Sequence, residues 1–135
     1  MNNIHTNSLT AADIRAFYAA LAVNDLGAVV ALLAVDATLH VPGTQSLAGD
    51  HVGLEAILNF MVATTATTDG GERIELIDAL VGDDHAAAYV HVTADRAGRA
   101  SLDNYTVHLM RTIDGLITDI WFHNRDHAAV DAFWS

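Results

Sequence analysis

The order of periodic segments along this chain predicts an α+β fold, with three N-terminal helices packed on a mainly antiparallel sheet. Three observations carry that expectation. Apolar residues recur at helical spacing through the first half of the chain, and alternation takes over in the second half. Two glycine turns, Ala97-Gly98 and Asp114-Gly115, then fold the alternating part into hairpins.

Thr10-Ala11-Ala12-Asp13 has the form of a capping box that opens a helix. Ile14, Phe17, Tyr18 and Leu21 give that helix one apolar stripe. Asn24-Asp25 breaks it and caps a second helix, whose stripe is Leu26, Val29, Val30 and Leu33. Thr38 to Val41 reads as a short strand stopped by Pro42-Gly43. A third helix starts near Asp50, carries Leu54, Ile57, Leu58 and Met61 on one side, and ends before Asp69-Gly70-Gly71. Four strands follow, over Ile74 to Val81, Ala86 to Asp95, Ser101 to Thr112 and Leu116 to Asn124. A short helix over Ala128 to Trp134 comes last.

Composition narrows the function classes. At 135 residues the chain fits one domain, read as residues 8–134. Apolar residues are 52% of it, which argues against disorder, and no apolar run approaches the ~20 residues of a membrane helix. There is no cysteine, hence no disulfide framework and no thiolate metal site. The net charge is −11 and all six basic residues are scattered arginines, so a phosphate backbone is repelled and nucleic acid is not an expected partner. Met1 to Thr10 is polar without a signal-peptide pattern, so the expected location is cytoplasmic.

The turns set an expected register. With Ala97-Gly98 as a two-residue turn, Val92 pairs with Asp103 and Val90 with Tyr105. With Asp114-Gly115 as the second, Val107 pairs with Phe122 and Tyr105 with Asn124. Cross-strand partners share a face. One face then carries Val90, Val92, Asp103, Tyr105, Val107, Ile120, Phe122 and Asn124, and its apolar character turns it toward the helices. The other carries Tyr89, His91, Thr93, Asn104, Thr106, His108, Trp121 and His123. A one-residue slip in either hairpin exchanges the faces beyond it.

The segment Asp25 through Pro42, the stretch Leu47-Ala48-Gly49-Asp50 followed by Gly53, and Asp114-Gly115-Leu116-Ile117 followed by Trp121 resemble the SnoaL-like group. That group belongs to the nuclear-transport-factor-2-like superfamily, which includes ketosteroid isomerase. The resemblance spans nearly the whole chain. It implies a cone-shaped fold with a curved sheet, a homodimer through the outer sheet face, and a small apolar ligand of polyketide or terpenoid type. The positions matching the three functional residues of ketosteroid isomerase fall on Phe17, Val41 and Val107, all apolar, so this is not a ketosteroid isomerase. Asp103, Arg99 and Asp126 imitate the Asp-Arg-Asp set of limonene epoxide hydrolase in composition, but Ser101 stands where that arginine belongs. Chemistry like that of scytalone dehydratase needs histidines in the pocket, and the expected register puts His91 and His108 outside.

The expected site therefore has Asp103 as general base and Tyr105 as hydrogen-bond donor, with Asn124 opposite Tyr105. Phe17, Val41, Val90, Val92, Val107, Ile120 and Phe122 are the expected ligand-binding wall. No cofactor is expected. No metal is expected either, because His91, His108 and His123 share a face without forming one row, and no HxH or HExxH spacing occurs. The function expected is cofactor-free acid–base chemistry, of isomerase, cyclase or hydratase type. The alternatives are a non-catalytic dimeric module that binds a hydrophobic ligand and a purely structural dimerisation module with a filled cone.

Overall fold

The computed structural model describes residues 8–135, and the remainder of the polar opening segment, residues 1–7, lies outside them. In chain order the elements are α1 (Ala11–Ala22), α2 (Leu26–Ala31), β1 (Leu33–Val41), β2 (Gly49–Val52), α3 (Leu54–Thr67), β3 (Arg73–Val81), β4 (His85–Ala94), β5 (Leu102–Ile113), β6 (Leu116–Asn124) and α4 (His127–Trp134). The strands form one curved six-stranded sheet in the order β2-β1-β6-β5-β4-β3. β1 runs parallel to β6, and the other neighbours are antiparallel. None of the described helices is long and apolar enough to cross a membrane.

The helix starts follow their capping chemistry. Thr10 and Asp13 exchange both bonds of a capping box at α1. Asp25 accepts from the Ala28 amide at 3.2 Å to open α2, and Asp126 accepts from the Ala129 amide at 3.1 Å to open α4. Two boundaries differ from expectation. Leu33, read as the end of the second helical stripe, is the first residue of β1, because the Ile117 amide takes the Leu32 carbonyl at 2.8 Å and draws the chain into the sheet. Asp50 lies in β2 opposite His40, and α3 begins only after Gly53, whose φ of +90° suits a residue without a side chain.

The register of β5 is the main correction. The Arg96 carbonyl does accept from the Arg99 amide across Ala97-Gly98, but this turn sits off-centre in the loop over 95–101, which Ser101 closes by donating to Asp95 at 2.6 Å. The first pair of the hairpin is Ala94 with Leu102, so Val90 pairs with Thr106 and Val92 with Asn104. The second turn is a two-residue one, with Ile113 opposite Leu116 and φ of +52° at Asp114 and +79° at Gly115. A bulge at Thr118 of β6, which stands unpaired between the pairs Arg111–Asp119 and Thr112–Ile117, then shifts the ladder by one residue, so that His108 pairs with Phe122 and Thr106 with Asn124. The two slips cancel between β4 and β6. Val90 and Asn124 share a row as expected, but the residue between them is Thr106, not Tyr105.

β5 is therefore turned over. Asp103, Tyr105 and Val107, expected inside, lie on the outer face, and Leu102, Asn104, Thr106, His108 and Met110 lie on the inner one. The helices cover that inner face. Ile14, Phe17 and Tyr18 of α1 and Ile57 of α3 are buried against it. On the outer face His40 of β1 stacks on Trp121 at 4.9 Å, with its Nδ1 2.9 Å from Asp50 and its Nε2 3.0 Å from Asp119. Burial works against a charge on His40, but the two carboxylates outweigh it and hold its pKa above the usual value.

Candidate functional site

Between the helices and the sheet lies a cavity of about 510 Å³, within the range of small-molecule pockets. Phe17, Val41, Val92, Ile120, Phe122 and Asn124 line it. Val90 is on the inner face and fully buried, but it does not border the cavity. Asp103 is exposed on the outer face, where its carboxylate sits 2.6 Å from His91 Nε2. Tyr105 stacks on His91 at 4.3 Å and carries the Arg125 guanidinium over its ring at 4.6 Å. Val107 is 37% exposed.

The slip delivers a polar row to an otherwise apolar space. Asn104, Thr106 and His108 occupy successive inner positions of β5, and all three are buried. His108 Nδ1 lies 2.7 Å from the hydroxyl of Tyr18, which α1 lowers onto the sheet one position after Phe17. Phe122 stacks on the other side of His108 at 4.2 Å, and Phe60 of α3 follows at 6.3 Å from Phe122. Ala88, the cross-strand partner of His108, leaves room above the strand.

Burial sets the protonation states of this pair. It pushes the His108 imidazole down to about 3 and the Tyr18 hydroxyl well above its usual range, so both are neutral at physiological pH. The Tyr18 hydroxyl has no other partner among the described residues. Its proton is satisfied by donating to Nδ1, which assigns the imidazole proton to Nε2. Nε2–H has no partner among the described residues, and His108 lines the cavity.

The neighbouring amides form a second unit. Asn104 Nδ2 donates to Asn124 Oδ1 at 2.9 Å. The Oδ1 of Asn104 and the hydroxyl of Thr106 are buried without a partner. Exchanging O and N in both amides keeps the mutual bond and still offers one acceptor and one donor to the cavity. Orphaned buried polar atoms of this kind cost about 1–3 kcal/mol each, which a ligand's hydrogen bonds recover.

One carboxyl group also lines the cavity. Glu72 follows the Gly70-Gly71 turn, and burial pushes its pKa up to about 7, opposed by hydrogen bonding from Thr64.

The remaining wall is held by α4. Asp131 accepts from the Thr44 amide at 2.8 Å, the Thr44 hydroxyl at 2.8 Å and the Gln45 amide at 3.1 Å, which together hold its pKa below the usual value. A Cβ on Gly43 (φ +110°) would stand 2.4 Å from that carboxylate, so the close approach requires glycine. Arg96 donates to the Phe133 carbonyl at 2.6 Å at the other end of α4. Pro42, Gln45, Val130 and Trp134 from these segments border the cavity.

Reading the sequence missed Tyr18, Glu72, Asn104, Thr106 and His108 as cavity residues. Tyr18 belongs to the apolar stripe of α1, where its hydroxyl is indistinguishable by spacing from a packing group. The β5 residues were hidden by the register. The signal that could have found them is the unusual polarity of Asn104, Thr106 and His108 at alternate positions.

A sheet covered by helices on one face, with a lined cavity between, is the architecture of the nuclear-transport-factor-2-like proteins, and solved structures described as NTF2-like and ketosteroid isomerase-like in fold share it. Within that class the chain belongs to the SnoaL-like domain family, whose profile matches residues 14–120. The uncharacterized protein Rv0034 of Mycobacterium tuberculosis is 32% identical over 123 residues, spanning 90% of this chain and 93% of that protein. Bal32a, from a soil-derived mobile gene cassette, superposes with a TM-score of 0.88 at 30% identity, covering 99% of this chain and 100% of its own. TerC, co-crystallized with polyporic acid, superposes with a TM-score of 0.75 at 19% identity, covering 90% and 92%. That last likeness is one of fold alone.

Proposed function

We propose that this domain binds a small, largely apolar molecule in the cavity and performs cofactor-free acid–base chemistry on it, of isomerase, cyclase or hydratase type. The observation that carries this reading is the buried row of Asn104, Thr106 and His108, partly unpartnered, inside an apolar wall. Such a row suits a polyketide- or terpenoid-like scaffold with oxygen functions along one edge.

The chemistry follows from the neutral His108. An uncharged imidazole held by Tyr18 and stacked on Phe122 offers a fixed Nε2–H. A donor of that kind stabilises negative charge developing on a ligand carbonyl oxygen, in a site with little water to compete. The ligand's own nucleophile then adds to the polarised carbonyl carbon, and the proton that nucleophile loses passes to the carbonyl oxygen, so the addition balances within the ligand. Asp103 and Tyr105 have no part in this, because they face away from the cavity.

A non-catalytic binder uses the same wall. It is favoured by the loss of charge on His108, which makes a buried structural hydrogen bond as comfortable as a catalytic one. In either reading we propose a homodimer through the outer sheet face, where Tyr89, Tyr105 and Trp121 are only half-buried. Native mass spectrometry of purified protein tests ligand binding first. A co-purified apolar molecule is expected, and its turnover by wild type but not by His108→Leu separates enzyme from binder. Protein that carries no ligand and binds none from a panel of oxygenated apolar compounds contradicts both.

A further inference from the structure

The cavity holds one carboxyl group, Glu72, and no cation is set against it. Arg73, its chain neighbour, also borders the cavity, but its guanidinium is committed to the sheet. Nε donates to Thr93 at 3.0 Å and Nη2 to Asp95 at 3.3 Å. Among the described residues no ion pair includes Glu72. The chain has no lysine to supply another cation. Arg73 pairs with Thr93 on the outer face, so strand alternation turns Glu72 inward. A half-buried carboxyl group facing an apolar cavity is costly when ionised unless something positive joins it.

Glu72 is not placed to act as the base for a carbonyl held by His108. Extending the β3 ladder by one position aligns Glu72 with Ala94, which pairs with Leu102. His108 stands six residues further along β5, a row separation of roughly 20 Å at the usual rise per residue. A base and an oxyanion donor acting on adjacent atoms need to be far closer than that. The two groups serve different ends of a ligand.

We infer that Glu72 is a subsite for a cationic nitrogen, and that the molecule the cavity takes is an elongated apolar amine with its ammonium group at Glu72 and its oxygen functions along β5. This rests on the small-molecule reading above and adds the charge of the ligand. The rest of the cavity suits such a molecule. Its aromatic wall, including Phe17, Tyr18, Phe60 and Trp134, accepts an ammonium-bearing chain on its faces. The net charge of −11 draws cations toward the protein. No phosphate or carboxylate ligand fits the same end, since Glu72 would repel it.

The titratable and charged groups sharing the cavity are Tyr18 of α1, His108 of β5 and Arg73 of β3. α3 presents only hydroxyls there, Thr64 and Thr65, and Asp69 in the preceding turn is exposed. Tyr18 and His108 are neutral and the guanidinium stays charged between pH 5 and 8. A change in cation affinity over that range therefore reports Glu72. Its carboxyl ionises near 7, so affinity rises with pH through that point and falls by up to about tenfold per unit below it.

Isothermal titration with a shape-matched pair, 4-phenylbutylammonium and 4-phenylbutanol, at constant ionic strength tests this. At pH 8 the ammonium is expected to bind about tenfold more tightly than the alcohol, a preference of the size a charge-assisted bond supplies. Glu72→Gln is expected to erase the preference while leaving alcohol affinity unchanged, and wild type at pH 5.5 is expected to behave like the variant. Equal affinities in wild type at pH 8, or a preference that survives Glu72→Gln, overturn the cation subsite while leaving the small-molecule reading in place. Failure of both probes to bind contradicts that reading, and the subsite with it.

Discussion

His108 and His40 stand on opposite faces of the same sheet, and their imidazoles are driven in opposite directions. His40, on the outer face, has a carboxylate at each ring nitrogen and is held toward the charged form. His108, on the inner face, meets a neutral phenol and a phenyl ring and is held neutral. Sequence neighbours cannot explain this, since neither histidine has a charged residue beside it in the chain. What differs is the face, and the face is set by one residue of register. The same contrast runs along β5. Its hidden side carries Asn104, Thr106 and His108, and its open side carries Tyr105, Val107 and Leu109, the reverse of what burial alone selects. A strand inverted in this way marks a place where polar groups are kept inside at a cost in stability.

If that inversion is functional, substitutions on the inner face should separate stability from binding. Tyr18→Phe leaves His108 Nδ1 buried without a partner and should lower unfolding free energy by about 2 kcal/mol, read by urea denaturation. Adding His108→Leu should recover much of that loss, because removing both partners leaves no orphan. The double variant should fold well and bind oxygenated ligands poorly. A double variant as unstable as the sum of its parts would break the contrast.

Glu72→Gln should be stabilising at high pH. The folded carboxyl has a pKa raised from 4.5 to about 7, so the folded state binds the proton more tightly than the unfolded one. Its contribution to stability is then complete below 4.5 and is lost as pH rises to 7. The variant carries no such loss and should exceed wild type by about 1–2 kcal/mol at pH 8, with the difference shrinking toward pH 5. A variant less stable than wild type at pH 8 would show that the ionised carboxylate has a stronger partner than Thr64.

The outer face should respond more weakly. His40 has a raised folded pKa, so its two contacts stabilise fully below the unfolded value near 6.5 and fade as pH climbs through the folded one. His40→Gln should remove that decline, a change of less than about 1 kcal/mol because Asp50 is largely exposed. Smallest of all, Asp103→Asn and Val107→Thr should each change monomer stability by no more than about 0.5 kcal/mol and leave ligand affinity unaltered. Loss of ligand binding in either variant would place β5 the other way up.

Much of the fold was legible before any coordinates. Thr10 and Asp25 cap where their side chains predict, and Asp114-Gly115 turns where two positive φ angles are cheapest. The inner faces of β4 and β6 were also readable, from the runs Val90, Val92 and Ile120, Phe122. β5 was not, for two physical reasons. The Ala97-Gly98 turn is real but sits half a residue off the centre of its loop, which moves the pairing by one residue, and the closure that fixes this, Ser101 to Asp95, is a side-chain bond across the loop. The bulge at Thr118 of β6 leaves no mark in the local sequence. Because the two shifts cancel between β4 and β6, the apolar pattern on those strands stayed consistent with either orientation of β5. The strand that carries most of the candidate site was the one whose polarity argued for the wrong side.

His108 lies inside the cavity, neutral, with its proton on Nε2. Heteronuclear NMR of histidine side chains labelled with ¹⁵N tests it most directly. One imidazole among the eight is expected to keep the signature of the Nε2–H tautomer from pH 8 down to pH 4, to lose its Nδ1 hydrogen-bond shift in Tyr18→Phe, and to move when an oxygenated apolar ligand is added. A His108 signal, assigned by its absence in His108→Leu, that titrates with a midpoint near 6.5 would contradict it.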